Sequence, residues 1–218
     1  MMKVQAVLVS KPRKKRPAAR GITRSPQRHA RNRLRVLLLC LMVMSLFGGV
    51  LLFSLRTSAM ESAFRSYYAS FEASLGASFS ARLFSSLLPG AGVGLMLWYS
   101  GLSPAGTTAI LPLLAVRCAA LGALSVWLVQ NGGTAFYFCR LFPAKVLQLL
   151  GLFLLAYCAC SCCSYLKSRL KQDSFRDSGW FIAYLKAGLP GMGLLVLSAL
   201  CEVLLQQWLG SSISLSSY

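Results

Sequence analysis

Two charges stand where charges are rare. Arg117 and Glu202 each interrupt a long apolar run, and their signs are opposite. A charged side chain at the centre of a bilayer costs at least about 2.5–3.5 kcal/mol on insertion scales. Such a residue normally faces protein or water and finds a partner. Two readings of the pair are open. One is a structural ion pair that locks two membrane helices together. The other is part of an ion or proton pathway, although two charges would make a sparse one.

A second candidate is the run Cys158-Ala159-Cys160-Ser161-Cys162-Cys163. Zinc sites want paired spacings and commonly His, and the single His29 lies far away in the N-terminal tail. On a helix the four thiols point to several faces. The readings are small-residue packing, acylation at the inner membrane face and metal binding. Packing leads, and neither a metal nor another cofactor is expected. No hydrolase, kinase or phosphate-loop motif occurs. The string Gly90-Ala91-Gly92-Val93-Gly94 follows no strand, so it is not a dinucleotide loop. The five acids form no pair suited to acid–base work. No enzymatic activity is expected from this chain.

The elements that must hold these residues follow from composition. Of 218 residues, 56% are hydrophobic and 13% charged, where soluble domains carry about 25% charged residues. A chain this apolar needs lipid around it. The net charge of +18 resembles a nucleic-acid signal, but 12 of the 23 basic residues crowd into residues 1–35, with no aromatic residue among them. That block reads as a disordered basic tail beside a membrane. Each of its basic residues is worth roughly 1 kcal/mol against an anionic leaflet. Nucleic acid is not an expected partner.

The expected fold class is an all-α, polytopic transmembrane helical bundle of about five spans, near 36–55, 83–101, 107–129, 144–166 and 188–209. The first run, Val36 to Leu55, holds twenty residues without a charge, enough to cross about 30 Å. A signal peptide would have a shorter apolar stretch and a shorter leader, so an uncleaved anchor is expected. The second span carries Pro89 and a GxxxG pair, Gly90 and Gly94, that permits close helix packing. The break at Pro89 leaves both a full and a re-entrant span open. In the third span Ala115, Ala119 and Ala123 repeat the four-residue spacing of small residues. Gln130 to Thr134 reads as a turn, 167–186 as a polar basic loop, and 211–218 as a short polar tail.

Between the first two spans, 56–82 changes character. Phe64, Tyr67, Tyr68, Phe71 and Leu75 follow i, i+3, i+4, i+7 spacing, which predicts an amphipathic helix outside the bilayer core. Its aromatic face suits the headgroup region or a docking partner; Phe64, Tyr67, Tyr68 and Phe71 are the candidate partner face.

The positive-inside rule sets an expected orientation. With the N-terminus cytoplasmic, seventeen basic residues fall inside, twelve in the tail and five in 167–186. Five fall outside: Arg56, Arg65, Arg82, Arg140 and Lys145. The C-terminus is then outside.

Three strings resemble the stage II sporulation protein M family. Leu113-Leu114-Ala115-Val116-Arg117-Cys118-Ala119-Ala120-Leu121-Gly122 is similar to its third-span pattern of apolar residues, one basic residue, then small residues and glycine. Phe142-Pro143-Ala144-Lys145-Val146-Leu147-Gln148 resembles its proline-initiated helix, although the family places a histidine at the position of Ala144 and a glutamate at that of Gln148. Ser198-Ala199-Leu200-Cys201-Glu202-Val203 resembles its late acidic position. The resemblance covers roughly 36–210 and leaves the basic tail unexplained. It implies a membrane scaffold of endospore formers that acts in forespore engulfment. The implied partners are membrane lipids and the wall-degrading stage II sporulation proteins D and P, with the sporulation septum as the site of action. A small transporter or channel subunit is the competing expectation, from the broken second and fifth spans and the buried charges.

Overall fold

A computed structural model describes residues 26–54, 61–66, 69, 78–170 and 179–209. Tyr67, Tyr68, Phe71 and the C-terminal tail lie outside the described residues. The described chain is helical, as the apolar runs demand. Its five long helices are α1 (Pro26–Ser54), α2 (Phe79–Ser100), α3 (Thr107–Phe136), α4 (Phe142–Leu170) and α5 (Gly179–Leu209). All five are long and apolar enough to cross a membrane. The shortest has 22 residues, or about 33 Å of axial rise.

The helices differ from the sequence reading in four places. First, α1 begins at Pro26, so 26–35 is helical rather than part of a disordered tail. Proline suits the first helical turn, where its missing N–H costs nothing. Second, α2 runs unbroken through Pro89 as a full-length helix. Third, the expected turn at Gln130–Thr134 is helical, with the Asn131 side chain donating back to Trp127 O at 2.8 Å. The irregularity comes later, as a π-helical turn over Tyr137–Leu141. Fourth, α5 starts at Gly179, nine residues before the expected span.

Large apolar side chains point outward along the spans, among them Leu37, Met44, Phe47 and Leu51 on α1, Phe84 and Leu88 on α2, and Leu189 and Leu204 on α5. In water these would be a patch liability; against acyl chains they are ordinary surface. The core lies between the helices. Leu38 and Met42 of α1 join Ile110, Leu114 and Cys118 of α3 and Leu152, Leu155 and Ala159 of α4. A second cluster at the other end holds Phe53, Ala123, Leu124 and Trp127.

Close approach depends on small residues. A side chain on Gly49 would run into the Ala119 backbone, and one on Gly122 into that of Leu46. α1 and α3 therefore cross nearly backbone to backbone. The alanine spacing read in the sequence serves this crossing through Ala119, and Ala123 is buried beyond it; Ala115 is half-buried. On the opposite side, Gly94 of α2 packs under Leu195 and Leu155, and a Cβ there would lie 2.5 Å from Leu195 Cδ1.

Gly122→Leu should therefore lower the unfolding midpoint in detergent, since overpacking typically costs about 1–3 kcal/mol. Gly48→Ala, one residue from the crossing on α1 and facing open space, should leave the midpoint unchanged or slightly raised.

Candidate functional site: a buried polar seam

Four-residue spacing places polar residues in register on three neighbouring helices. Ser198, Glu202 and Gln206 share one stripe of α5. Lys145 and Gln148 lie one turn apart on α4, and Ser86 and Gly90 one turn apart on α2. The structure brings the three stripes together. Lys145 Nζ donates to Glu202 Oε2 at 3.0 Å, and Ser86 Oγ donates to the same oxygen at 2.9 Å. Ser198 Oγ donates to Ala144 O at 2.8 Å. One carboxylate thus ties α2 and α4 to α5.

This is a buried ion pair, with side-chain exposures of 12% for Lys145 and 4% for Glu202. In a low-dielectric layer neither charge could stand alone, because the desolvation cost is repaid only by a close partner and further hydrogen bonds. The serine supplies one of those bonds. The lysine stem covers apolar surface while its ammonium reaches inward.

The pair differs from the expected one. Glu202 was expected to meet Arg117, and its partner is Lys145. The reason is topological. α4 lies between α3 and α5, and those two share no packed face. Arg117 sits half-buried on α3 beside Cys118. Sequence reasoning set Lys145 outside the membrane as a loop charge. The available signal was depth: Lys145 stands three residues into α4 and Glu202 seven from the end of α5, and both ends lie on the same side. Removing Lys145 from the outer count leaves the charge asymmetry larger than before.

Beside the pair, Gln148 is 4% exposed. Its amide fills the space over Gly90, where a Cβ would lie 2.6 Å from Nε2. Among the described residues its Oε1 has no hydrogen-bond partner. Gly90 and Gly94, singled out for packing, thus serve two different contacts. Gly90 admits an amide and Gly94 admits leucines.

The remaining candidates distribute as follows. Phe64 turns inward and stacks near Phe53 (6.1 Å between centroids) and Trp127 (6.2 Å). It anchors its segment on the bundle instead of offering a free face. Cys160 and Cys163 are core residues, and Cys163 Sγ reaches the carbonyls of Ser100 and Gly101 at 3.7 Å. Cys158 points elsewhere, donating to Ala187 O at 3.3 Å. The thiols are dispersed, and among the described residues no three His, Cys, Asp or Glu gather to hold a metal.

No protein-family model, curated protein or solved structure matches the chain.

Lys145→Met should destabilise the bundle by about 3–5 kcal/mol, because it strands Glu202 without its cation. The double variant Lys145→Met with Glu202→Met should recover most of that loss, as measured by unfolding midpoints in detergent. Gln148→Leu should be near neutral or stabilising, since a buried acceptor without a partner contributes no bond.

Proposed function

We infer that this chain is a multi-pass membrane scaffold of the stage II sporulation protein M kind. It anchors and localises wall-degrading proteins during forespore engulfment, with its basic tail cytoplasmic. One observation carries the reading: the buried carboxylate is consumed in locking helices. Glu202 is held by Lys145 and Ser86 from two different helices. A scaffold needs that rigidity and needs no conduit. The anchoring of Phe64 on Phe53 and Trp127 supports a contact role for its segment. The aromatic pattern continues in sequence through Tyr67, Tyr68 and Phe71. On this orientation that run faces the wall, where partners resembling the stage II sporulation proteins D and P would meet it.

A transporter or channel subunit is the second reading. The buried amide of Gln148, with an acceptor to spare, favours it, as do the prolines inside α2 and α5.

Two experiments separate these. In an endospore-forming host, a null strain should stall in engulfment and a fluorescent fusion should gather at the sporulation septum; normal engulfment in the null strain would sink the scaffold reading. The Lys145→Met, Glu202→Met double variant should still support engulfment if the pair is only a lock. Abolition of a measurable proteoliposome flux by that folded variant would establish transport instead.

A further inference from the structure

We propose that Cys158 and Cys162 of α4 form a two-thiolate site for a soft monovalent metal ion of the Cu(I) class. The proposal goes beyond the scaffold reading and does not rest on it.

The two thiols are four residues apart, so they share one face of α4 on successive turns. Both line a cavity of about 690 Å³ between α4 and α5. They also meet in one packed cluster: Cys162 belongs to it with Tyr184, and Cys158 packs against it. Tyr184 lines the cavity too and donates its hydroxyl to Trp98 O. That bond sets the site at the end of the bundle that carries the 100–106 turn. The other two thiols of the run face the core. Cys160 and Cys163 are 2% and 0% exposed, so neither offers a ligand to the cavity.

Spacing selects the chemistry. Cβ atoms one turn apart on a helix lie about 5–6 Å from each other. A disulfide needs them at about 3.5–4.5 Å, so this pair cannot close on itself while α4 stays helical. Two metal–thiolate bonds of about 2.3 Å each, set in line, span about 4.6 Å. That distance suits sulfurs leaning toward one another from adjacent turns. Zinc asks for four ligands, and among the described residues no third His, Cys, Asp or Glu joins the pair. Soft thiolates select Cu(I), which two of them satisfy.

Charge is consistent with this choice. Two thiols and one Cu(I) give a bis-thiolate complex of net charge −1, and two protons leave to solvent. The metal keeps its oxidation state. The Cys158 thiol gives up its bond to Ala187 O, 3.3 Å long. Arg35 of α1 lines the same cavity, with its guanidinium 5.0 Å from the ring centroid of Tyr157, the chain neighbour of Cys158. Among the described residues no carboxylate lies within ion-pair distance of Arg35. One cation is thus placed beside one anionic centre, which a poorly solvated site requires.

The test is Cu(I) retention by the full, reduced chain in detergent, without oxygen, against a chromophoric Cu(I) chelator. One Cu(I) per chain should be retained, with two sulfur neighbours by X-ray absorption. Cys158→Ser and Cys162→Ser should each weaken retention by more than the roughly 10–100-fold that loss of a supporting group costs. Arg35→Gln should weaken it roughly tenfold. Cys201→Ser, which alters the thiol next to Glu202, should leave it unchanged. Retention by the Cys158→Ser, Cys162→Ser double variant overturns the proposal, as does the absence of retained Cu(I) in the wild type. Three or four sulfur neighbours overturn it in favour of an adventitious thiol cluster. Should a serine variant fail to fold, thiol protection in the wild type decides. Ag(I) should shield Cys158 and Cys162 from iodoacetamide before it shields the exposed Cys40, and unchanged labelling of the pair refutes the site.

Discussion

A carboxylate in an apolar layer must be met by a cation, and the way Glu202 is met organises half of this bundle. Lys145 reaches it from α4 and Ser86 from α2. Three helices are thereby fixed in rotation and in depth, because a turn of any one by 100° would withdraw its group. Around that node the small residues do the spacing. Gly90 gives room to Gln148, and Gly94 gives room to Leu155 and Leu195. In lipid, helices gain little from hiding apolar surface, so close packing and polar contacts decide how they associate. The seam supplies both.

The other half is built differently. α1 joins the bundle mainly through α3, at a crossing where Gly49 meets Ala119 and Gly122 meets Leu46. Beyond it the aromatic cluster of Phe53, Phe64 and Trp127 covers one end. At the opposite end Arg35 of α1 joins residues of α4 and α5 in lining a cavity. A polar lock holds α2, α4 and α5, while α1 is held by close backbone fit against α3 and by Arg35 stacked on Tyr157 of α4.

Several features were legible in the sequence because they depend only on neighbours along the chain. Uncharged runs of about twenty residues meet the length that a bilayer requires, and five helices stand where five runs were read. The spacing of Ala115, Ala119 and Ala123, and of Gly90 and Gly94, marked faces of close packing. Boundaries were less legible. Asn131, Gly132 and Gly133 look like a turn in isolation, yet the helix continues through them. The basic residues before Val36 hid a helix that starts at Pro26.

The sequence by itself determined the fold class, the number of apolar helices and the presence of a buried acid at Glu202, since each follows from composition and local period. The tertiary structure alone decided which cation answers that acid. A one-dimensional reading ranks partners by how deep each charge lies in its own apolar run, and on that measure Arg117 came first. Packing order reversed the choice. With α4 lying between α3 and α5, Lys145 is the cation whose long stem can reach Glu202 across a shared face. The same order sets Arg35 beside Tyr157, more than a hundred residues apart in the chain.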